Sequence, residues 1–191
     1  MSPRTNNQNQ EIKRYKKKLI IEAALLLFSV DGFNATSMQS IANKAKVSKG
    51  NLYNYFESKE ALLESVLTYG LNECLESFKV QNSKIITETD FKQAVYANFE
   101  MIKANKTFWK LYYNLVTQPK VQVFFNKVFA PFLEKYMNMF EAYFRNKGDK
   151  TPNATALLLG STIDGISLGY IIMGEAYPLK EVLEQLIDKF K

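Results

Sequence analysis

Apolar residues recur every three to four positions along almost the whole chain, and no alternating run lasts long enough to specify a strand. Ile12, Leu19, Ile20, Ala23, Leu27 and Phe28 form one stripe. They predict a first helix over about 11–31, with Gly32 as its stop. Met38, Ile41 and Ala42 mark a short second helix capped by Ser37, and Leu52 and Phe56 mark a third capped by Ser48. A longer helix opens at Ser58, runs through Leu62, Leu63, Val66, Leu67 and Leu71, and is expected to reach about 80. Past a polar linker beyond Asn82, Asp90 is the expected cap of a helix carrying Phe91, Val95, Phe99 and Ile102. Residues 108–116 read as an aromatic helix that ends before Pro119. Residues 121–147 repeat apolar positions at helical spacing, and Pro131 is expected to break or kink them. The last two helices are predicted at 153–174 and 179–190.

Two features of this pattern point beyond an ordinary helical bundle. The second and third helices are too short to stand alone and are joined by a tight turn, the layout of a helix-turn-helix. The helix at 153–174 is apolar nearly all round, with Asp164 as its one charge, so it must be covered. It is long enough to span a bilayer. Its Ser, Thr and Gly content and central Asp favour a protein interface over lipid.

Charge and rare residues narrow the function. The net charge is +6, of which +4 falls in residues 1–70 and +2 in the remaining 121. The basic excess is thus denser near the N-terminus, as expected for a segment that meets polyphosphate. Lys13, Arg14, Lys16, Lys17 and Lys18 crowd the first turns of helix 1, where cations oppose the helix dipole. There is no histidine, which excludes His-based metal sites and Ser-His or Cys-His catalytic pairs. The single cysteine, Cys74, excludes an internal disulfide and fits a cytoplasmic site. No Gly-rich phosphate loop or pair of catalytic carboxylates is evident, so neither an enzyme nor a cofactor is expected. Residues 1–10 lack an apolar core; they read as a flexible arm rather than a signal peptide.

The third helix has the chemistry a groove-reading helix needs. Gly50 allows close backbone approach, and Lys49 reaches a guanine edge or a phosphate. Asn51 and Asn54 each offer a donor and an acceptor, and Tyr53 and Tyr55 bring hydroxyls to the phosphate level. Ser48 caps this helix, and Thr36 and Ser37 stand at the start of the second.

Residues 19–67 resemble the N-terminal domain of the TetR family of bacterial transcription regulators. The likeness lies in Phe28, Gly32, Thr36, Ile41-Ala42, Val47-Ser48-Lys49-Gly50, Leu52-Tyr53-Asn54-Tyr55-Phe56 and Ser58-Lys59-Glu60-Ala61-Leu62. The chain length and the Asp164-Gly165 pair in an apolar penultimate helix are also similar. The resemblance implies an all-α fold with a flexible arm at 1–10, a three-helix helix-turn-helix domain at 11–57, and a helical ligand-binding and dimerisation domain at 58–191. Lys59 resembles the family's phosphate-binding lysine. One departure is Lys46, where the turn between helices 2 and 3 often has Gly. If that position is left-handed, a residue other than Gly costs about 1 kcal/mol; either the turn is adjusted here or a phosphate contact from Lys46 offsets the strain.

The resemblance implies an effector cavity without fixing its residues. Aromatic density places the candidates at Phe99, Trp109, Tyr112, Tyr113, Phe125 and Phe129, with Asn98, Glu100 and Lys103 as the nearest polar groups. The dimer is expected on the last two helices, through Leu157, Gly160, Ser161, Asp164 and Leu168 on one and Leu183, Leu186 and Phe190 on the other. Gly160, Gly165 and Gly169 would allow close helix approach. The expectation is a cytoplasmic homodimeric repressor, released from a palindromic operator in double-stranded DNA by a small hydrophobic effector. The rival expectation is a dimeric DNA-binding protein without an effector.

Overall fold

A computed structural model describes residues 6–77 and 87–191. The described residues form only helices, turns and loops. They comprise α1 (Asn6–Val30), α2 (Met38–Lys44), α3 (Lys49–Tyr53), α4 (Lys59–Ser77), α5 (Glu88–Ala104), α6 (Lys106–Leu115), α7 (Pro119–Asn146), α8 (Pro152–Met173) and α9 (Leu179–Phe190), with a 3-10 turn at Gly174–Ala176.

The N-terminal unit is built from short-range signals. Ile20, Ala24 and Phe28 of α1, Ile41 and Ala42 of α2, Leu52 of α3 and Leu62 and Leu63 of α4 are buried together, which the apolar spacing required. Ser37 accepts the Ser40 N–H at 3.0 Å, and Ser40 returns the bond to the Ser37 N–H, closing a capping box at the start of α2. Ser48 accepts the Asn51 N–H at 3.1 Å and starts α3. Between them α2 ends in a reversal with Lys46 at φ 55°, the only positive-φ residue other than glycine among those described. The Lys46 N–H donates to Asn43 O at 3.2 Å and the Val47 N–H to Ala42 O at 3.0 Å. This pair of bonds is the usual left-handed helix stop, a place where glycine is preferred.

Three boundaries differ from expectation. α1 begins at Asn6, so half of the predicted arm is helical. Asp90 is not the cap of α5: Thr87 is, accepting from the Asp90 N–H at 3.1 Å while the Asp90 carboxylate takes the Thr87 N–H at 2.8 Å. Pro131 does not break α7, which continues through it for 28 residues. Packing of α7 on α4 and α8 holds the helix where local sequence opposes it. The predicted extension of α4 to about 80 and the linker beyond it lie outside the described residues.

The C-terminal body packs α5, α6 and α7 around an aromatic core. Phe91 stacks on Tyr143 at 5.0 Å and meets Phe140 edge-on at 5.8 Å. α8 lies against α6, α7 and α9, while α1 and α4 join the two units through contacts with α6 and α7.

Candidate nucleic-acid interface and effector cavity

α3 turns its apolar side inward and its polar side out. Leu52 is fully buried and Phe56 nearly so, while Ser48, Lys49, Gly50, Tyr53 and Asn54 are exposed and Asn51 and Tyr55 half-buried. Nothing lies within 4 Å of where a Gly50 Cβ would stand. The need for glycine is therefore not internal, which leaves room for close approach from outside. Lys46 and Ser37 are exposed on the same unit. Lys17 of α1 lies over the Phe56 ring at 5.5 Å, so the basic stretch 13–18, which falls inside α1 rather than in its first turns, flanks the end of α3.

Two candidates serve the fold instead. Thr36 is buried, and its hydroxyl donates to Gly32 O at 2.8 Å. A hydroxyl so placed caps the α1–α2 turn and does not face solvent. Lys59 points its ammonium at the same loop, donating to Phe33 O at 2.8 Å, Thr36 O at 2.9 Å and Asn34 O at 3.3 Å. It also sits 4.5 Å from the Phe33 ring centroid. An ammonium has three N–H donors, and three carbonyls take them. The Lys59 side chain is thus a clamp between α4 and the loop before α2, correcting the reading of it as a free phosphate ligand.

The body holds a cavity of about 320 Å³ between α5, α6, α7 and α8. Trp109, Tyr112, Tyr113 and Phe129 line it, as expected, together with Ile102, Phe132, Tyr136 and Met137, which sequence reasoning did not single out. For Phe132 and Tyr136 the signal was the helical repeat Phe125, Val128, Phe132, Tyr136 in α7, and for Ile102 the apolar stripe of α5; what these lacked was which side faces a void. Phe99 is core rather than lining. Glu100 and Lys103 bond each other at 2.8 Å on the exposed side of α5, away from the cavity. Four residues apart on a helix share a face, and Glu100 lies only two from Asn98, which does face the cavity. The Phe125 side chain lies outside the described residues.

The cavity's polar end is narrow in composition. Asn98 is buried, and its Oδ1 has no hydrogen-bond partner. Asp164 is the one charged residue in the lining. Although the residue as a whole is exposed, its carboxyl is held above the usual carboxylate range by burial, partly offset by a hydrogen bond from Tyr113. The Tyr113 hydroxyl also reaches the Asp164 backbone oxygen at 3.4 Å. Burial first and the Asp164 charge second push the Tyr112 phenol up to about 12 and raise Tyr136 and Tyr113 as well.

The dimer candidates divide. Leu157, Ser161, Asp164 and Leu168 are exposed on α8, with Leu158, Ile172 and Met173 also out, an apolar stripe on the surface of a single subunit. Gly165 meets no atom within 4 Å and is open to a neighbour. Gly160 is half-buried against Met137, and Gly169 gives way to Tyr177 within the subunit. Leu183 and Leu186 of α9 are buried in their own subunit, and Phe190 packs on Phe144 at 6.2 Å. Leu183 and Leu186 are intramolecular, a correction to their placement at an interface, while Phe190 is half-buried; the apolar stripe of α9 faces α5 and α8.

A short outward helix braced by a second across a tight turn, carried on long helices around an apolar cavity, is the layout of a helix-turn-helix unit joined to a helical body. Residues 20–66 match the family described as bacterial regulatory proteins, tetR family. The likeness to that family thus covers the N-terminal helices α1 to α4. It is 61% identical over 54 residues to the HTH-type transcriptional regulator YuxN of Bacillus subtilis (strain 168), covering 28% of this chain and 19% of that protein. It is 43% identical over 76 residues to the HTH-type transcriptional regulator RutR of Escherichia coli (strain K12), covering 40% of this chain and 36% of that one. The chain spans about half or less of the length of the curated relatives it matches, 51% for YhgD of Bacillus subtilis. Among solved structures, the fatty acid degradation regulator FadR from Bacillus halodurans superposes with a TM-score of 0.75 at 18% identity, over 92% of this chain and 94% of that one. FadR from Bacillus subtilis in complex with stearoyl-CoA superposes at 0.73 with 17% identity, over 91% and 96%. These two likenesses speak to the fold.

Proposed function

We propose that the protein is a cytoplasmic, homodimeric repressor that holds a palindromic operator and releases it when a small, largely apolar effector fills the cavity. The observation that carries the DNA half is the two-sidedness of α3: Leu52 locked in the core, Lys49, Gly50, Tyr53 and Asn54 turned out. In this reading Lys49 and Asn51 touch base edges, and Ser48, Tyr53, Asn54 and Tyr55 set register on phosphates. Ser37 and Lys46 add contacts on the flanks. The apolar stripe on α8 supports dimerisation, with the reading heads about 34–36 Å apart or a multiple of a turn. By length and composition Pro152–Ala176 also matches a membrane span. Its packing on α6, α7 and α9 argues for a soluble assembly, because a lipid-spanning helix would have to give those contacts up.

The coupling route runs through one notch. Phe129 lines the cavity and stacks on Phe108 at 5.9 Å. Phe108 in turn lies on Gly70 of α4, so closely that a Cβ there would fall 2.0 Å from its ring. α4 then carries any displacement to Lys59 and, through its three carbonyl bonds, to the loop that orients α2 and α3. An effector acts only through its different affinities for the two spacings of the reading heads, and DNA must weaken the effector by the same factor.

The direct test is selection from random duplexes at moderate salt, followed by titration of Lys49→Ala. The expected result is an inverted repeat bound by a dimer, with a loss of about 1–3 kcal/mol and relaxed preference at one base pair in the variant. No sequence preference from a folded dimer would refute the reading.

A further inference from the structure

We infer that the cavity selects a cation with an apolar body: a protonated amine or amidine whose charge sits against Asp164 and the tyrosine rings and whose N–H donates to Asn98 Oδ1. This rests on the proposal that the cavity is an effector site, and it deepens that proposal by naming the ligand's charge.

The argument is one of complementarity. Asp164 is the sole charged residue in the lining, and no Lys or Arg lies within ion-pair distance of it among the described residues. α8 contains no Lys or Arg at all, so a second α8 packed across a two-fold axis brings Asp164 no counter-ion. Asn98 Oδ1 is a buried acceptor with nothing to accept from. Leaving such an atom unpaired is costly, so a ligand donor that reaches it gains affinity. Between these groups stand Tyr112, Tyr113 and Tyr136, whose ring faces attract a cation. The one charged group and the unpartnered amide oxygen therefore ask for positive charge and a hydrogen-bond donor, while Trp109 Nε1 offers a donor to a neutral acceptor on the ligand body. A carboxylate or phosphate head would meet a carboxylate and an amide oxygen with no cation to receive it. The ligand class thus differs from the acyl-CoA held by the structurally similar FadR of Bacillus subtilis. At about 320 Å³ the space is at the small end for such pockets, which favours a compact body.

The chain holds a single tryptophan, Trp109, and it is in the cavity wall, so intrinsic emission reports occupancy. The probes are three molecules with one body and different heads: 4-phenylbutylamine, 4-phenylbutanol and 4-phenylbutyrate, titrated into the full-length wild-type protein at pH 7. The amine is expected to change Trp109 emission saturably and to bind at least about tenfold tighter than the alcohol, with the carboxylate weakest. Asp164→Asn should bring the three within about threefold of one another, by loss of the amine's advantage, with the oligomeric state checked by sedimentation. If the alcohol or the carboxylate binds as tightly as the amine, charge selection is overturned while the cavity remains an effector site. If none of the three binds at millimolar concentration or alters operator affinity, both charge selection and the effector reading fall. The wild-type series decides the matter even if the variant does not fold.

Discussion

The reading head and the cavity are built in opposite ways. In the head, each structural decision is made by residues within five positions of one another. Ser48 caps onto Asn51, Ser37 onto Ser40, and Lys46 and Val47 close back on Asn43 and Ala42. In the cavity, the deciding neighbours are far apart in the chain: Asn98 on α5, Trp109 on α6, Phe129 on α7, Asp164 on α8. A head specified locally can keep its shape while the body changes its lining. That is consistent with 61% identity to YuxN being confined to 54 residues. In the proposed function a signal enters the head mechanically, through α1 and α4, the two helices that join it to the body.

The largest expected effect comes from separating two heads that are individually intact. Leu168 and Ile172 are 40% and 73% exposed in the single subunit, so charging both leaves its core untouched. Leu168→Asp with Ile172→Asp should give a folded monomer by sedimentation and circular dichroism. Operator affinity should fall about 100-fold or more, because the second half-site is no longer held at high effective concentration. A variant that stays dimeric would move the interface off α8.

How much of each region was legible follows from the same contrast. The caps at Ser37 and Ser48 and the burial of Leu52 and Phe56 follow from residue type and short spacing, whereas the left-handed turn at Lys46 was suggested by the resemblance alone. The role of Lys59 was not legible. It sits where the family has a phosphate-binding lysine, and only the fold brings Phe33 O, Asn34 O and Thr36 O around its ammonium. In the body, periodicity located the helices but not what covers each face. Leu183 and Leu186 looked like an interface because an amphipathic stripe reads the same whether it meets its own subunit or another. Glu100 and Lys103 were near the cavity in sequence and on the wrong side of α5 in space. Asn98, two positions before Glu100 and on another face of α5, became informative only once its side-chain carbonyl was seen buried without a donor.

The Lys59 assignment can be tested against its alternative. Lys59→Ala strips three carbonyls of a cationic donor at the seam between head and body. Thermal or urea unfolding should show a loss of about 1.5–3 kcal/mol. The slope of operator affinity against salt should stay as in the wild type, since no phosphate partner is removed. A slope reduced by about one, with stability unchanged, would restore the ammonium to a phosphate.

Gly70 tests the seam from the other direction. A methyl at this position falls inside the Phe108 ring, and α4 or α6 must shift to admit it. Gly70→Ala should cost about 1–3 kcal/mol in stability and alter operator affinity without touching α3. Both should move together across a size series from alanine to valine. An unchanged operator affinity in a destabilised variant would show that the notch supports the fold but does not transmit to the head.

The smallest effect is the most discriminating. Among the described residues the same left-handed helix stop, with the same pair of backbone bonds, occurs at two helix ends. At the end of α7 the residue is Gly148, φ 83°, with its N–H on Arg145 O at 3.1 Å and the Asp149 N–H on Phe144 O at 3.1 Å. At the end of α2 it is Lys46, φ 55°, with the equivalent pair of bonds. Hydrogen bonding is matched, so the difference between the two sites is the Cβ. Lys46→Gly should relieve about 1 kcal/mol of backbone strain and raise the melting temperature of the head. If the strain is retained because the exposed ammonium meets a phosphate, the same variant should bind all duplexes more weakly and lose about one from its salt slope. Stability and affinity would then move in opposite directions at one residue. Lys46→Met separates the two contributions: it keeps the Cβ and removes the charge, so it should lower affinity with no gain in stability. Equal or tighter DNA binding by Lys46→Gly would leave the left-handed lysine as strain without a counterpart and remove it from the interface.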